Sequence, residues 1–168
     1  MKYLYIIRHA KSDWEDLSLP DIVRPLSDRG KQSVYIIANF LKENKIVPDL
    51  ILSSPATRAL HTAIGISDVL GYSNSAISTY SEIYFKGKEG MLDVISNVGN
   101  KKSNIFIFSH EPSCSELIYF LTGEAVMKFP TAAIFGIKFK MDNWSEIFNQ
   151  KGEKVLFTSP KQIQPKIE

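Results

Sequence analysis

Arg8-His9 stands directly after the apolar run Tyr3–Ile7, and three later apolar runs close beside groups of related chemistry: Ser54-Pro55-Ala56-Thr57-Arg58, Ser81-Glu82 and Ser109-His110-Glu111-Pro112. A guanidinium is a planar fork whose paired N–H donors match two oxygens of a phosphoryl group. Arg8 and Arg58, arriving from different strand ends, could therefore clamp the equatorial oxygens and leave phosphorus open to attack. A histidine with one ring nitrogen tied to a backbone carbonyl offers the other as an unprotonated nucleophile, and His9 is the candidate for a covalent phosphoryl intermediate. His110 is the candidate second donor, bearing on the charge that moves through the phosphoryl oxygens. Glu82 is the candidate acid for the leaving group and later base for water. Together these residues describe a two-step hydrolysis that calls for no metal and no cofactor.

Each residue also has a plainer reading. An Arg-His pair can decorate a surface, a histidine after a strand can be a hydrogen-bonded structural residue, Arg58 can bond a helix carboxylate, and Glu82 can be a solvated loop charge. Context separates these readings for His9 and His110, since both follow an apolar run and both precede a helical pattern. His61, one helical turn beyond Arg58, is read as a packing or surface residue. Cys114 is read as a small apolar core residue, because no arginine stands at the spacing a cysteine phosphatase loop requires. Lys11 and Ser12 are left open between phosphate contact and loop solvation.

The elements that must position these groups are legible as an alternation. Tyr3–Ile7, Leu50–Leu52, a weaker piece over Ala76–Tyr80, and Ile105–Phe108 read as buried strands. Between and after them, Val34, Ile37, Ala38 and Leu41, then Met91, Val94, Ile95 and Val98, then Cys114, Leu117, Ile118 and Leu121 recur at the spacing of one helical face. A helix is expected from Pro55 in its first turn to about Leu70, closed by Gly71. Ser113 and Glu116 have the spacing of a capping box. Ile134–Lys140 and Lys154–Phe157 read as two further strands along an edge of the same sheet. This alternation predicts an α/β layer fold with a largely parallel sheet, whose ligands sit beyond the carboxyl ends of the strands.

The 168 residues, 44% hydrophobic and 23% charged, suit one domain, here 1–157, with a tail over 158–168 that runs along the surface or frays. A formal charge of +2 without a Lys/Arg block argues against nucleic acid or an anionic membrane as partner. A lone cysteine excludes an internal disulfide framework, and no basic segment followed by an apolar stretch and cleavage site opens the chain, so a cytoplasmic protein is expected. Three histidines tens of residues apart, without a cysteine pair, make no local zinc motif. No glycine loop ends in Gly-Lys-Ser/Thr.

Arg8-His9-Ala10-Lys11-Ser12, the stretch from Asp21 through Arg24-Pro25-Leu26-Ser27-Asp28-Arg29-Gly30, Ser53-Ser54-Pro55-Ala56-Thr57-Arg58-Ala59, Thr62-Ala63 and Ser109-His110-Glu111-Pro112 together resemble the histidine phosphatase superfamily. Within it they most resemble the small phosphohistidine phosphatases of the SixA type, in order and at compatible spacing from about Tyr3 to Leu121. The resemblance implies a three-layer α/β/α, phosphoglycerate mutase-like fold with a mostly parallel central sheet. It implies His9 as nucleophile and Arg8, Arg58 and His110 as the phosphate pocket, with Arg24 lining that pocket or else held in a structural ion pair. Ala10 departs from the glycine commonest after the nucleophile, and His61 from a common glutamine. The surroundings of Glu82 match the larger mutases poorly. A weak acid suits phosphohistidine, whose imidazole leaves readily once protonated, better than alkyl phosphate. Short spans from Arg58 to Glu82 to His110 suit a site open to a protein surface. The expected activity is removal of phosphate from phosphohistidine in a protein such as a phosphotransfer domain, releasing inorganic phosphate. The alternatives are a phosphatase or mutase of small phosphoesters and a phosphohistidine-binding module without turnover.

Overall fold

The computed structural model describes residues 1–164. Six strands form one sheet: β1 (Lys2–Arg8), β2 (Leu50–Ser53), β3 (Ser78–Thr79), β4 (Asn104–Ser109), β5 (Ile134–Phe139) and β6 (Glu153–Thr158), in the spatial order β3-β2-β4-β1-β5-β6. The pairs β3–β2, β2–β4 and β4–β1 are parallel, whereas β5 runs antiparallel to both β1 and β6. The helices are α1 (Asp28–Glu43), α2 (Thr57–Leu70), α3 (Ser81–Phe85), α4 (Gly87–Ser96), α5 (Ser113–Thr122) and α6 (Pro160–Ile163), joined by short 3-10 turns at Asp21–Val23, Asn74–Ala76 and Trp144–Phe148.

Burial on both faces explains why the central strands read as unbroken apolar runs. Leu4 and Ile6 of β1 face one core with Ile105 and Ile107 of β4, Met91 and Ile95 of α4, and Leu117 and Leu121 of α5. Tyr5 and Ile7 face the other, with Phe106 and Phe108, Val34, Ile37 and Leu41 of α1, and Ala59, Ala63 and Ile66 of α2. The result is the expected three-layer α/β/α sandwich. Register places Arg8 beside Ser109 and Ser53 beside Phe108. The residues that follow, His9, Ser54 and His110, therefore leave the sheet at one edge, the carboxyl end of the parallel strands.

Four local expectations are corrected. The strand over Ala76–Tyr80 shrinks to Ser78–Thr79, because Asn74–Ala76 winds into a 3-10 turn. Helix α2 begins at Thr57 rather than Pro55: the Ser54 hydroxyl accepts the Ala56 N–H at 3.2 Å, so Pro55 and Ala56 form the turn out of β2, and Gly71 closes the helix in the left-handed region at φ 74°. The Ser113/Glu116 box does not form at α5; the Glu111 carboxylate, one residue ahead of the N-cap Pro112, accepts the Ser115 N–H at 2.9 Å and its hydroxyl. The end of the chain is more than a surface tail. Thr158 ends β6 nearly buried, α6 packs on α1, and Ile163 lies against the α1/α2 core, while 165–168 fall outside the described residues. No helix among the described residues is long and apolar enough to cross a membrane.

Candidate active site

The end of β1 is fixed from both sides. The Arg8 N–H donates to Ala133 O at 3.1 Å and the His9 N–H to Ser109 O at 3.1 Å, while His9 O accepts the Ala132 N–H at 3.0 Å. Arg8 Nη1 donates to Phe129 O at 2.9 Å, which aims the guanidinium along the loop before β5 and leaves its Nε buried without a partner. His9 Nδ1 lies 2.7 Å from Ala10 O. A carbonyl only accepts, so Nδ1 carries the proton and Nε2 keeps its lone pair. Ala10 is fully buried, and its N–H donates at 2.9 Å to Thr62 Oγ1, which itself donates to Arg58 O at 2.7 Å. Thr62 thus ties the loop after β1 to the first turn of α2.

His110 completes the pocket from β4. Its ring centroid is 5.3 Å from that of His9, and its Nε2 is 2.8 Å from Ser54 Oγ. Ser54 Oγ also accepts from Ala56 N–H, which ties the His110 ring to the turn out of β2. His110 Nδ1 is a buried atom without a partner. Arg58 Nε, like Arg8 Nε, is a buried donor without one. Burial pushes the pKa of His9 down to about 4, helped by the positive charges of Arg58, Arg8 and Arg24 and opposed by the Ala10 carbonyl. Burial likewise pushes His110 down to about 3, with Arg58 and His9 adding to the effect. Both rings are neutral at pH 7.

A carboxylate unforeseen as a site residue organises the outer rim. Asp21 Oδ2 accepts from Tyr84 Oη at 2.6 Å and from Arg58 Nη2 at 3.0 Å, Oδ1 accepts from Arg24 Nη2 at 2.7 Å, and Asp21 O accepts from Arg58 Nη1 at 2.8 Å. The Tyr84 hydroxyl, then Arg24 and Arg58, hold the Asp21 carboxyl well below the usual carboxylate range, and the same bond to Asp21 raises the Tyr84 phenol. Arg24 also donates to Ser12 Oγ, and its Cζ lies 3.5 Å from the centroid of the exposed Trp14 ring. Tyr84 meets His110 edge to face, centroids 5.5 Å apart.

Arg8, His9, Arg58, His110 and Arg24 are therefore brought together, Arg24 through an ion pair with Asp21. Glu82 is not. Glu82 is among the residues of a separate groove with Leu50, Ser78, Lys86, Asp93 and Asn97, while Tyr84, two residues on and so on the far side of the same short helix, reaches Asp21. His61 and Lys11 are exposed; Ser12 is buried as the partner of Arg24. Sequence reasoning missed roles for Asp21, Tyr84, Ser54, Thr62 and Trp14. Three of these lie inside quoted motifs; the one local signal for Asp21 was Arg24, three residues on, and its other partners, Arg58 and Tyr84, are distant in sequence.

Comparison with known proteins agrees with this geometry. The profile of the Histidine phosphatase superfamily (branch 1) matches residues 4–113. The phosphohistidine phosphatase SixA of Escherichia coli is 30% identical over 139 residues, covering 80% of this chain and 83% of that protein. An uncharacterized chloroplastic protein of Arabidopsis thaliana is 32% identical over 161 residues, covering 89% of this chain and 72% of its own length. A solved structure of the protein histidine phosphatase SixA with tungstate superimposes with a TM-score of 0.80 at 24% identity, over 96% of this chain and 99% of that one, a likeness of fold. The match over more than half its length, a stretch that includes His9, Arg58 and His110, makes this chain a member of the histidine phosphatase superfamily.

Proposed function

We propose that this chain is a phosphatase that works through a phosphoryl group held covalently on His9, and that its substrate is phosphohistidine in a protein such as a phosphotransfer domain. The observation that carries the reading is that two buried, unpartnered guanidinium donors, Arg8 Nε and Arg58 Nε, and the buried, unpartnered Nδ1 of His110 lie close to a histidine whose Nδ1 is fixed as a donor. Orphaned buried donors are costly, and an anion satisfies them together.

In the first step the Nε2 lone pair of His9 forms a bond to phosphorus as the bond from phosphorus to the substrate nitrogen breaks, and that electron pair leaves with the imidazole. Arg8, Arg58 and His110 hold the three equatorial oxygens, and Arg24 adds positive charge at the rim. In the second step water attacks phosphorus, the N–P electron pair returns to His9, and inorganic phosphate departs with the water's proton lost to solvent. No residue in this scheme is a metal ligand. The 30% identity to a phosphohistidine phosphatase supports the substrate class. So does the placement of Glu82 outside the cluster, since a phosphohistidine leaving group asks little of an acid.

The test is release of inorganic phosphate from a phosphohistidine-bearing phosphotransfer protein in buffer containing a chelator. Release by the unmodified chain and loss of at least about 10³-fold in His9→Ala is the expected result. Hydrolysis of small phosphoesters alone, or tight binding of the phosphoprotein without turnover, overturns it.

A further inference from the structure

The Asp21 carboxylate is held by three donors, and it still has room for a fourth. An ionised carboxylate offers about four acceptor positions. Oδ2 uses two, on Tyr84 Oη and Arg58 Nη2, and Oδ1 uses one, on Arg24 Nη2. One lone pair of Oδ1 is unspent, on a side chain that is 51% exposed. Two of the groups that hold the carboxylate belong to the phosphate pocket itself: Arg58 supplies one of the orphaned donors, and Tyr84 lies edge-on to His110. A fixed, half-exposed acceptor thus stands at the rim, bonded to the arginine that supplies one of those orphaned donors.

Building on the phosphohistidine reading above, we propose that Asp21 Oδ1 accepts a hydrogen bond from the free ring N–H of the substrate's phosphohistidine and so makes the site selective for phosphoryl groups carried on nitrogen. A phosphorylated imidazole whose second nitrogen is bare must leave as an imidazolate. With that nitrogen protonated the ring is cationic before the step and departs as neutral imidazole, the P–N electron pair moving onto the ring while the proton stays where it was. A carboxylate on that N–H favours the protonated, reactive form above the ordinary imidazole range. The same carboxylate opposes a phosphoester, whose departing oxygen brings growing negative charge and no donor. One anchored side chain both promotes N–P cleavage and disfavours O–P cleavage.

The experiment compares kcat/KM for a histidine peptide phosphorylated with phosphoramidate against that for p-nitrophenyl phosphate, in the unmodified chain and in Asp21→Asn. The ratio of the two is expected to fall by about 10-fold or more in the variant, the range of a lost charge-assisted hydrogen bond. The alkaline limb of the peptide reaction should also move to lower pH. Equal losses on both substrates overturn the assignment, because that is what mere disordering of Arg58 and Arg24 would give. A second arm needs no variant: a peptide methylated on the ring nitrogen that is not phosphorylated carries a permanent cation without an N–H. The unmodified chain is expected to turn it over about 10-fold more slowly than the unmethylated peptide; an equal or faster rate overturns the proposal. If the chain hydrolyses p-nitrophenyl phosphate and neither peptide, the phosphohistidine reading falls and this inference with it. If it hydrolyses the unmethylated peptide and either comparison shows no discrimination, the inference alone falls.

Discussion

His9 presents an uncharged ring with an unprotonated Nε2 at neutral pH, which is what a nucleophilic role on phosphorus would require. The Ala10 carbonyl fixes which nitrogen carries the proton, and burial among three arginines removes the tendency to take a second. A free imidazole at pH 6 is largely protonated and non-nucleophilic, whereas His9 with a pKa near 4 is not. NMR titration of the ring is expected to place the His9 midpoint near pH 4 in the absence of anions; a midpoint above 6 would mean that the site is far wetter than its 7% exposure implies. Ser54 gives a second test at this scale. Ser54→Ala removes the hydroxyl 2.8 Å from His110 Nε2, and with it the hydrogen bond that orients the ring. Its expected effect is a fall in kcat of about 10-fold, the weight of one hydrogen bond that orients a catalytic donor, with KM moving less. Arg8, His9, Arg58 and His110 were legible in the sequence because each stands at or just beyond a strand end. Asp21 and Tyr84 were not, because their roles depend on partners 37 and 63 residues away along the chain.

The elements are joined to the site by two close contacts between loop and helix, and Gly30 sits at one of them. A Cβ at this position would lie 2.1 Å from the Lys11 carbonyl oxygen and 3.1 Å from its carbon, both backbone atoms of the loop that carries His9. The same carbonyl accepts the Ser27 N–H at 2.9 Å, and Ser27 caps α1 by accepting the Gly30 N–H at 3.0 Å. In an open helix Gly→Ala would gain about 1 kcal/mol, but here the overlap with a fixed backbone outweighs it. Gly30→Ala is expected to lower stability by about 1–3 kcal/mol, read as a drop in the urea midpoint at constant slope. Gly99→Ala, with nothing within 4 Å of the new Cβ, should change it by less than about 0.5 kcal/mol. Equal midpoints for the two variants would show that the loop yields freely. Helical faces and buried strands could be read from periodicity, since α1 and α5 bury the residues their spacing selects and α4 buries Met91, Val94 and Ile95, though it ends before Val98, which is only half-buried. Periodicity has no grip on a five-residue helix such as α3, so the phase that turns Tyr84 inward and Glu82 away could not be set. Nor does it reach α6, which lies in a closing stretch of two prolines and few apolar residues that reads as a free end until packing on α1 is seen.

Taken as a whole, the molecule stores two neutral histidines beside three arginines at the edge of its sheet, and this ties global stability to pH and to anions. The folded pKa values, about 4 for His9 and about 3 for His110, lie below the unfolded value near 6.5, so the unfolded chain binds more protons between those limits. The associated stability is complete above pH 6.5 and is lost as pH falls through that window, about 3 kcal/mol of it for His9 alone. Asp21 acts in the same sense at lower pH: its depressed carboxyl contributes above the unfolded carboxylate range and is lost as pH falls below it. A dianion in the pocket reverses the histidine contribution, because it favours the protonated rings and raises both of their pKa values. Sulfate is a suitable probe, since it remains a dianion throughout. Its stabilising effect should therefore be larger at pH 5 than at pH 7.5, where the rings stay neutral with or without it. The measurement is Tm against millimolar sulfate at the two pH values, for the unmodified chain and for Arg58→Ala. A rise in Tm that is greater at pH 5 and much reduced in Arg58→Ala is the expected result. A rise that is equal at both pH values, or equal in both proteins, would mean that sulfate acts on the surface at large and that the buried histidines and the arginine pocket do not share an anion.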